Sequence, residues 1–97
     1  MYHKVGNYKS AVVALSNFIK EYATSPYAEE AHYLRFYSQH KLAKNSIEGK
    51  IQEDRFYLAV EFYHTFVDKY PDSKYKKSSE GYYDSIMESL EEIKSKK

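Results

Sequence analysis

The sequence predicts an all-α fold, a short α-solenoid of antiparallel helical hairpins with about four helices in 97 residues. Three observations predict it. The phrase Phe18-Ile19-Lys20-Glu21-Tyr22-Ala23-Thr24-Ser25-Pro26-Tyr27 returns 48 positions later as Phe66-Val67-Asp68-Lys69-Tyr70-Pro71-Asp72-Ser73-Lys74-Tyr75, with Phe, Tyr, Ser and Tyr in register. Upstream the register holds, pairing Tyr8 with Phe56, Ala11 with Ala59, Val12 with Val60 and Leu15 with Tyr63. Apolar residues ahead of each phrase recur every three or four positions, which is one face of an amphipathic helix. A repeat at a fixed offset marks a stacked array, in which each unit leaves an apolar face for the next to cover.

The first helix is expected over about residues 8–22, with apolar positions 8, 11, 12, 15, 18, 19 and 22. Gly6-Asn7 ends the segment before it and caps the helix after it. Ser25 suits an N-cap and Pro26 the first helical position, where its missing N–H costs nothing. A second helix is expected over about 26–42, with a seam of Ala28, Ala31, Leu34, Ser38 and Leu42. Small residues in such a seam let helix axes approach closely. Glu29 and Glu30 fall in its first turn, where the helix dipole favours negative charge.

Residues from about 43 to 54 are polar and interrupted by Gly49. They read as a loop longer than a helical hairpin needs. Asp54 then caps a third helix, about 55–70, whose apolar positions 56, 59, 60, 63, 66, 67 and 70 copy the first. A last helix is expected over about 73–95, with its seam at Tyr75, Ser79, Tyr82, Ile86, Leu90 and Ile93. Residues 1–97 thus form one repeat fragment, and the first helix is expected to start inside a repeat.

Composition narrows the function classes. Tyr supplies 12 residues, more than any other aromatic type, and its ring buries a large area while its hydroxyl seeks a partner. Net charge is +1, from 15 basic and 14 acidic residues, so nucleic acid is not an expected partner. There is no cysteine, which excludes disulfides and thiolate metal sites within this sequence. No stretch approaches the ~20 apolar residues of a membrane helix, and the first residues carry no apolar run typical of a signal peptide.

The repeat resembles the tetratricopeptide repeat, a helix A–helix B unit of about 34 residues. Residues 8–22 look like a B helix, 28–42 the next A helix, 55–70 its B helix, and 73 onward a further A helix. The loop absorbs the excess of the 48-residue offset. Among such repeats the chain is most similar to the BamD family (YfiO or ComL) of outer-membrane assembly lipoproteins. The matching runs are Ala11-x6-Phe18-Ile19-x2-Tyr22-x2-Ser25-x-Tyr27-x3-Ala31, Tyr33-Leu34-Arg35, the insertion ending at Asp54-Arg55, and Ala59-x6-Phe66-x3-Tyr70-Pro71-x-Ser73-x-Tyr75. Ala23 stands where that pattern has proline, Phe36 where it has a small residue, and the lipidated cysteine is absent.

The resemblance implies a non-enzymatic, protein-binding scaffold on the periplasmic face of the outer membrane. Its implied partners are the barrel-forming assembly protein and unfolded outer-membrane substrates, with the membrane reached only through a lipid anchor outside this sequence. The alternative is another tetratricopeptide adaptor, similar to the periplasmic Tol-associated coordinators (YbgF or CpoB) or cytosolic, that binds a peptide in its groove.

Tyr33, Tyr37, His40 and Lys41 are the candidate protein-binding face on the second helix, where a concave groove would run. Exposed aromatics offer contact area at low entropic cost. Alternatively, both tyrosines pack against the neighbouring hairpin, as aromatic stripes on helices do. Lys74, Lys76 and Lys77, together with Lys69, cluster around the second turn. Cations at a helix start oppose its dipole, so they await either a partner's acidic patch or plain solvation. The 43–54 loop is a further docking candidate or a disordered insert.

The histidines His3, His32, His40 and His64 form no His-Glu-x-x-His motif. They read as solvated or half-buried rings. With no Gly-rich phosphate loop and no nucleophile-elbow serine, no catalytic, cofactor-binding or metal site is expected, and an enzyme is the least supported class.

Overall fold

A computed structural model describes residues 5–46 and 49–95. Its elements are α1 (Val5–Glu21), α2 (Ala28–Lys44), α3 (Lys50–Lys69) and α4 (Lys76–Ser95). The protein is all-α, a tetratricopeptide-like stack. α1 packs on α2, α2 on α3, α3 on α4, and α2 also touches α4. The two B-type helices, α1 and α3, therefore each lie against the A-type helix that comes after them.

The turns that end α1 and α3 match bond for bond at the 48-residue offset. Tyr22 N–H donates to Phe18 O, Ser25 N–H to Tyr22 O, Ala28 N–H to Ser25 O and Ala31 N–H to Tyr27 O. Tyr70, Ser73, Lys76 and Ser79 repeat those four donations to Phe66, Tyr70, Ser73 and Tyr75. The Ser25 hydroxyl accepts the Tyr27 N–H at 3.1 Å, and the Ser73 hydroxyl accepts the Tyr75 N–H at 3.1 Å. Each serine satisfies a backbone donor that the helix start leaves orphaned. Pro26 consequently sits in this turn, and α2 starts at Ala28 rather than at the proline.

Among the described residues, the main core cluster joins Phe36 and Ala43 from α2, Phe56 and Ala59 from α3, and Ile86 and Leu90 from α4. Val60, Phe62, Tyr63, Tyr82, Tyr83 and Ile93 pack around it. Burying a Phe or Ile fully contributes roughly 1.5–3 kcal/mol each. Ala28, Ala31, Ala59 and Ser79 are also buried, and their small size lets the axes close up. Phe36, where a small residue is usual, is fully buried against the Tyr63 ring at 5.5 Å.

Several expectations are corrected. Gly6 and Asn7 lie in the first turn of α1 rather than ahead of it, a place where the backbone N–H groups lack helical partners anyway. Leu34, expected in the α2 seam, is exposed, whereas Gln39, His32 and His40 are buried. α2 is covered from three sides, so its buried arc spans roughly 200° of the helix and its position among neighbours, not apolarity, selects the residues. The two histidines are therefore not solvated or half-buried as expected, and His3 lies outside the described residues.

The loop expected over 43–54 is mostly helix. Ala43 and Lys44 extend α2, and α3 resumes at Lys50, while Ile47 and Glu48 lie outside the described residues. Gly49, at φ 132°, supplies the backbone reversal, a conformation other residues rarely adopt. The last α2 carbonyls are satisfied locally: Asn45 Nδ2 donates to Lys41 O, Ser46 Oγ to Leu42 O and Gln52 Nε2 to Ala43 O. Arg55 anchors the corner on Ser46 Oγ at 2.6 Å. Asp54 is thus not a cap; it lies inside α3 and pairs with Lys50 at 3.2 Å.

Candidate functional site

The α2–α4 contact gathers the candidate residues. Tyr33 stacks on Tyr75, with centroids 4.7 Å apart and planes at 12°. Tyr37 meets Tyr82 edge-on at 5.3 Å, and the His40 ring tilts against the same Tyr82 at 5.1 Å. The Lys41 ammonium sits 5.7 Å from the Tyr37 centroid. Tyr33 and Tyr37 are half-buried, so they pack against the next hairpin and still present an edge. His40 is different: it is buried beneath Tyr82, under this face rather than on it.

The lysines at the second turn separate. Lys74 lies over the Tyr75 ring at 5.3 Å and lines a cleft of about 250 Å³ with Pro26, Tyr27, Glu29, Glu30 and Tyr75. Lys76 is half-buried and Lys77 exposed, and neither lines that cleft. The acidic first turn of α2 faces the cationic approach to α4. Ser73 Oγ donates to the Glu29 carboxylate, and Tyr75 Oη donates to Glu30 Oε2 at 3.0 Å. Part of the dipole conflict expected at this turn is therefore offset within the chain.

Hydrogen bonding to Glu30 first, then burial and the Glu30 and Glu29 charges, pushes the Tyr75 phenol up. Burial, followed by Tyr82, raises Tyr33. Both stay neutral phenols at pH 7. The face offers ring surfaces, phenol donors, carboxylate acceptors and Lys41, which are means of recognition.

Sequence reasoning did not single out Tyr27, Glu29, Glu30, Tyr75 and Tyr82 as parts of this site. The repeat register holds the signal for Tyr27, because it aligns Tyr27 with Tyr75. Tyr75 is covered by Tyr33 of the preceding A-type helix; Tyr27 is 69% exposed. A second stack, Tyr63 on Tyr83 at 4.3 Å and 18°, ties α3 to α4.

Among the described residues, no group of three or more His, Cys, Asp or Glu is placed to hold a metal ion. Nor is any helix among them long and apolar enough to cross a membrane. The family model described as "YfiO: Outer membrane lipoprotein" matches residues 1–94. A search of curated proteins finds no match.

Proposed function

We propose, from the premise that this chain belongs to the YfiO family of outer membrane lipoproteins, that it is a non-enzymatic protein-binding scaffold in the assembly of outer-membrane β-barrel proteins. It works at the periplasmic side of the membrane, held there by a lipid anchor outside this sequence. Its partners are the barrel-forming assembly protein and unfolded barrel substrates.

The observation that carries this reading is the tyrosine seam. Tyr33 on Tyr75 and Tyr37 on Tyr82 fasten successive A-type helices side by side. Rings fixed in this way give contact area without losing much side-chain entropy on binding. A partner segment lying across the seam meets the free edges of Tyr33 and Tyr37, the Lys41 ammonium, and at one end the Tyr27–Glu30–Lys74 cleft. No bond is made or broken; the surface supplies orientation and proximity.

The test is site-specific photo-crosslinking in cells, from positions 27, 37 and 41 of the full-length gene product. Adducts with a barrel-assembly protein or unfolded barrels, in the outer-membrane fraction, are expected. Adducts confined to proteins of another compartment contradict the reading.

A further inference from the structure

α2 is the helix that touches all three others, and it carries two buried histidines with unpartnered ring nitrogens. His40 is 2% exposed, and neither ring nitrogen has a hydrogen-bond partner. His32 is 3% exposed and unpartnered at Nδ1, its ring tilted against Tyr70 at the end of α3 at 5.6 Å. The charges that lower the pair are cationic: Lys44 and Lys41 of α2 on His40, Arg35 of α2 and Lys69 of α3 on His32. α4 presents the Tyr82 ring to His40. The carboxylates of α2's first turn, Glu29 and Glu30, are engaged by Ser73 and Tyr75 instead.

We propose that α2 is an acid-sensitive pin: charging His32 and His40 loosens its packing on α3 and α4 and opens the tyrosine seam. A buried imidazolium needs an acceptor or a counter-charge; His40 has no acceptor at either ring nitrogen and His32 has none at Nδ1. Burial first, and then the cations just named, lower both histidines from 6.5 to about 4. The unfolded chain takes these protons near pH 6.5 and the folded chain only near 4. Between those values the unfolded state binds more protons, so stability is complete above about pH 6.5 and falls as the pH drops toward 4.

Two measurements on the 97-residue chain test this: an NMR titration of the imidazole carbons, and urea unfolding at pH 7 and pH 5. His32 and His40 are expected to be neutral in the folded chain at pH 5. The folding equilibrium constant is expected to fall roughly twentyfold per histidine over that interval, with amide protection in α4 falling alongside. The double variant His32→Gln, His40→Gln is expected to keep most of its stability across the window. An acid loss of the same size in that variant overturns the proposal. Should the variant not fold, the parent chain decides, since either histidine charged at pH 5 in the folded state also overturns it.

Discussion

The Tyr33 ring lies almost flat on the Tyr75 ring, 4.7 Å between centroids and 12° between planes. Tyr33 belongs to α2 and Tyr75 to the turn that starts α4, so this stack joins two successive A-type helices directly. Such a pair contributes about 0.5–1.5 kcal/mol beyond the area it buries. A double-mutant cycle of Tyr33→Ala and Tyr75→Ala in urea unfolding is therefore expected to give a coupling of that size. The variant Tyr75→Phe keeps the ring and loses only the hydroxyl bond to Glu30, so most of the coupling to Tyr33 survives it. Additive single variants would remove the stack from the account.

The paired turns make a comparison within one chain. Ser25→Ala and Ser73→Ala each remove a hydroxyl that accepts a backbone N–H two residues on. Each is expected to destabilise by about 1 kcal/mol. Ser73 also donates to Glu29 across the α2–α4 contact, so its loss should be the larger. Denaturant midpoints at constant m-value measure both; a larger loss at Ser25 would contradict the added contribution of the Ser73–Glu29 bond.

The glycines should respond with opposite signs. Gly49 sits at φ 132°, and Gly81 lies in α4 without a positive φ; a Cβ meets nothing within 4 Å at either place. Gly49→Ala is expected to cost on the order of 1–3 kcal/mol through backbone strain alone. Gly81→Ala is expected to stabilise by roughly 0.4–1 kcal/mol through the entropy of the unfolded chain. Thermal unfolding of the two variants checks the signs, and stabilisation at Gly49 would contradict the turn geometry.

The parts of this fold that depend on local chemistry are legible in the sequence. Apolar spacing places the helices, and Ser25 and Ser73 mark the turns because a hydroxyl two residues from an orphan N–H acts whatever surrounds it. The α4 seam at Ser79, Ile86 and Leu90 is buried, since a helix packed mainly on one side obeys its own periodicity. α2 does not, because three neighbours decide which of its residues are covered. Leu34 therefore faces out while Gln39 turns in to donate to Arg55 O at 3.0 Å.

The corner between α2 and α3 escapes sequence reasoning for a related reason. Lys50-Ile51-Gln52-Glu53 looks like loop by polarity, yet Gln52 reaches back to cap α2 and Gly49 lets the helix restart. At the candidate face, periodicity groups Tyr33, Tyr37, His40 and Lys41, but which of them a neighbour buries depends on Tyr75 and Tyr82 from beyond α2.

The most direct test of the stacked arrangement exploits the absence of cysteine. Cysteines placed together at positions 33 and 75 are treated with a short bismaleimide under dilute native conditions. If α2 and α4 lie side by side, the product is a monomer carrying an internal crosslink, and urea abolishes its formation. Failure to form that link in the folded chain, or formation of intermolecular dimers alone, would contradict the arrangement on which the proposed binding face depends.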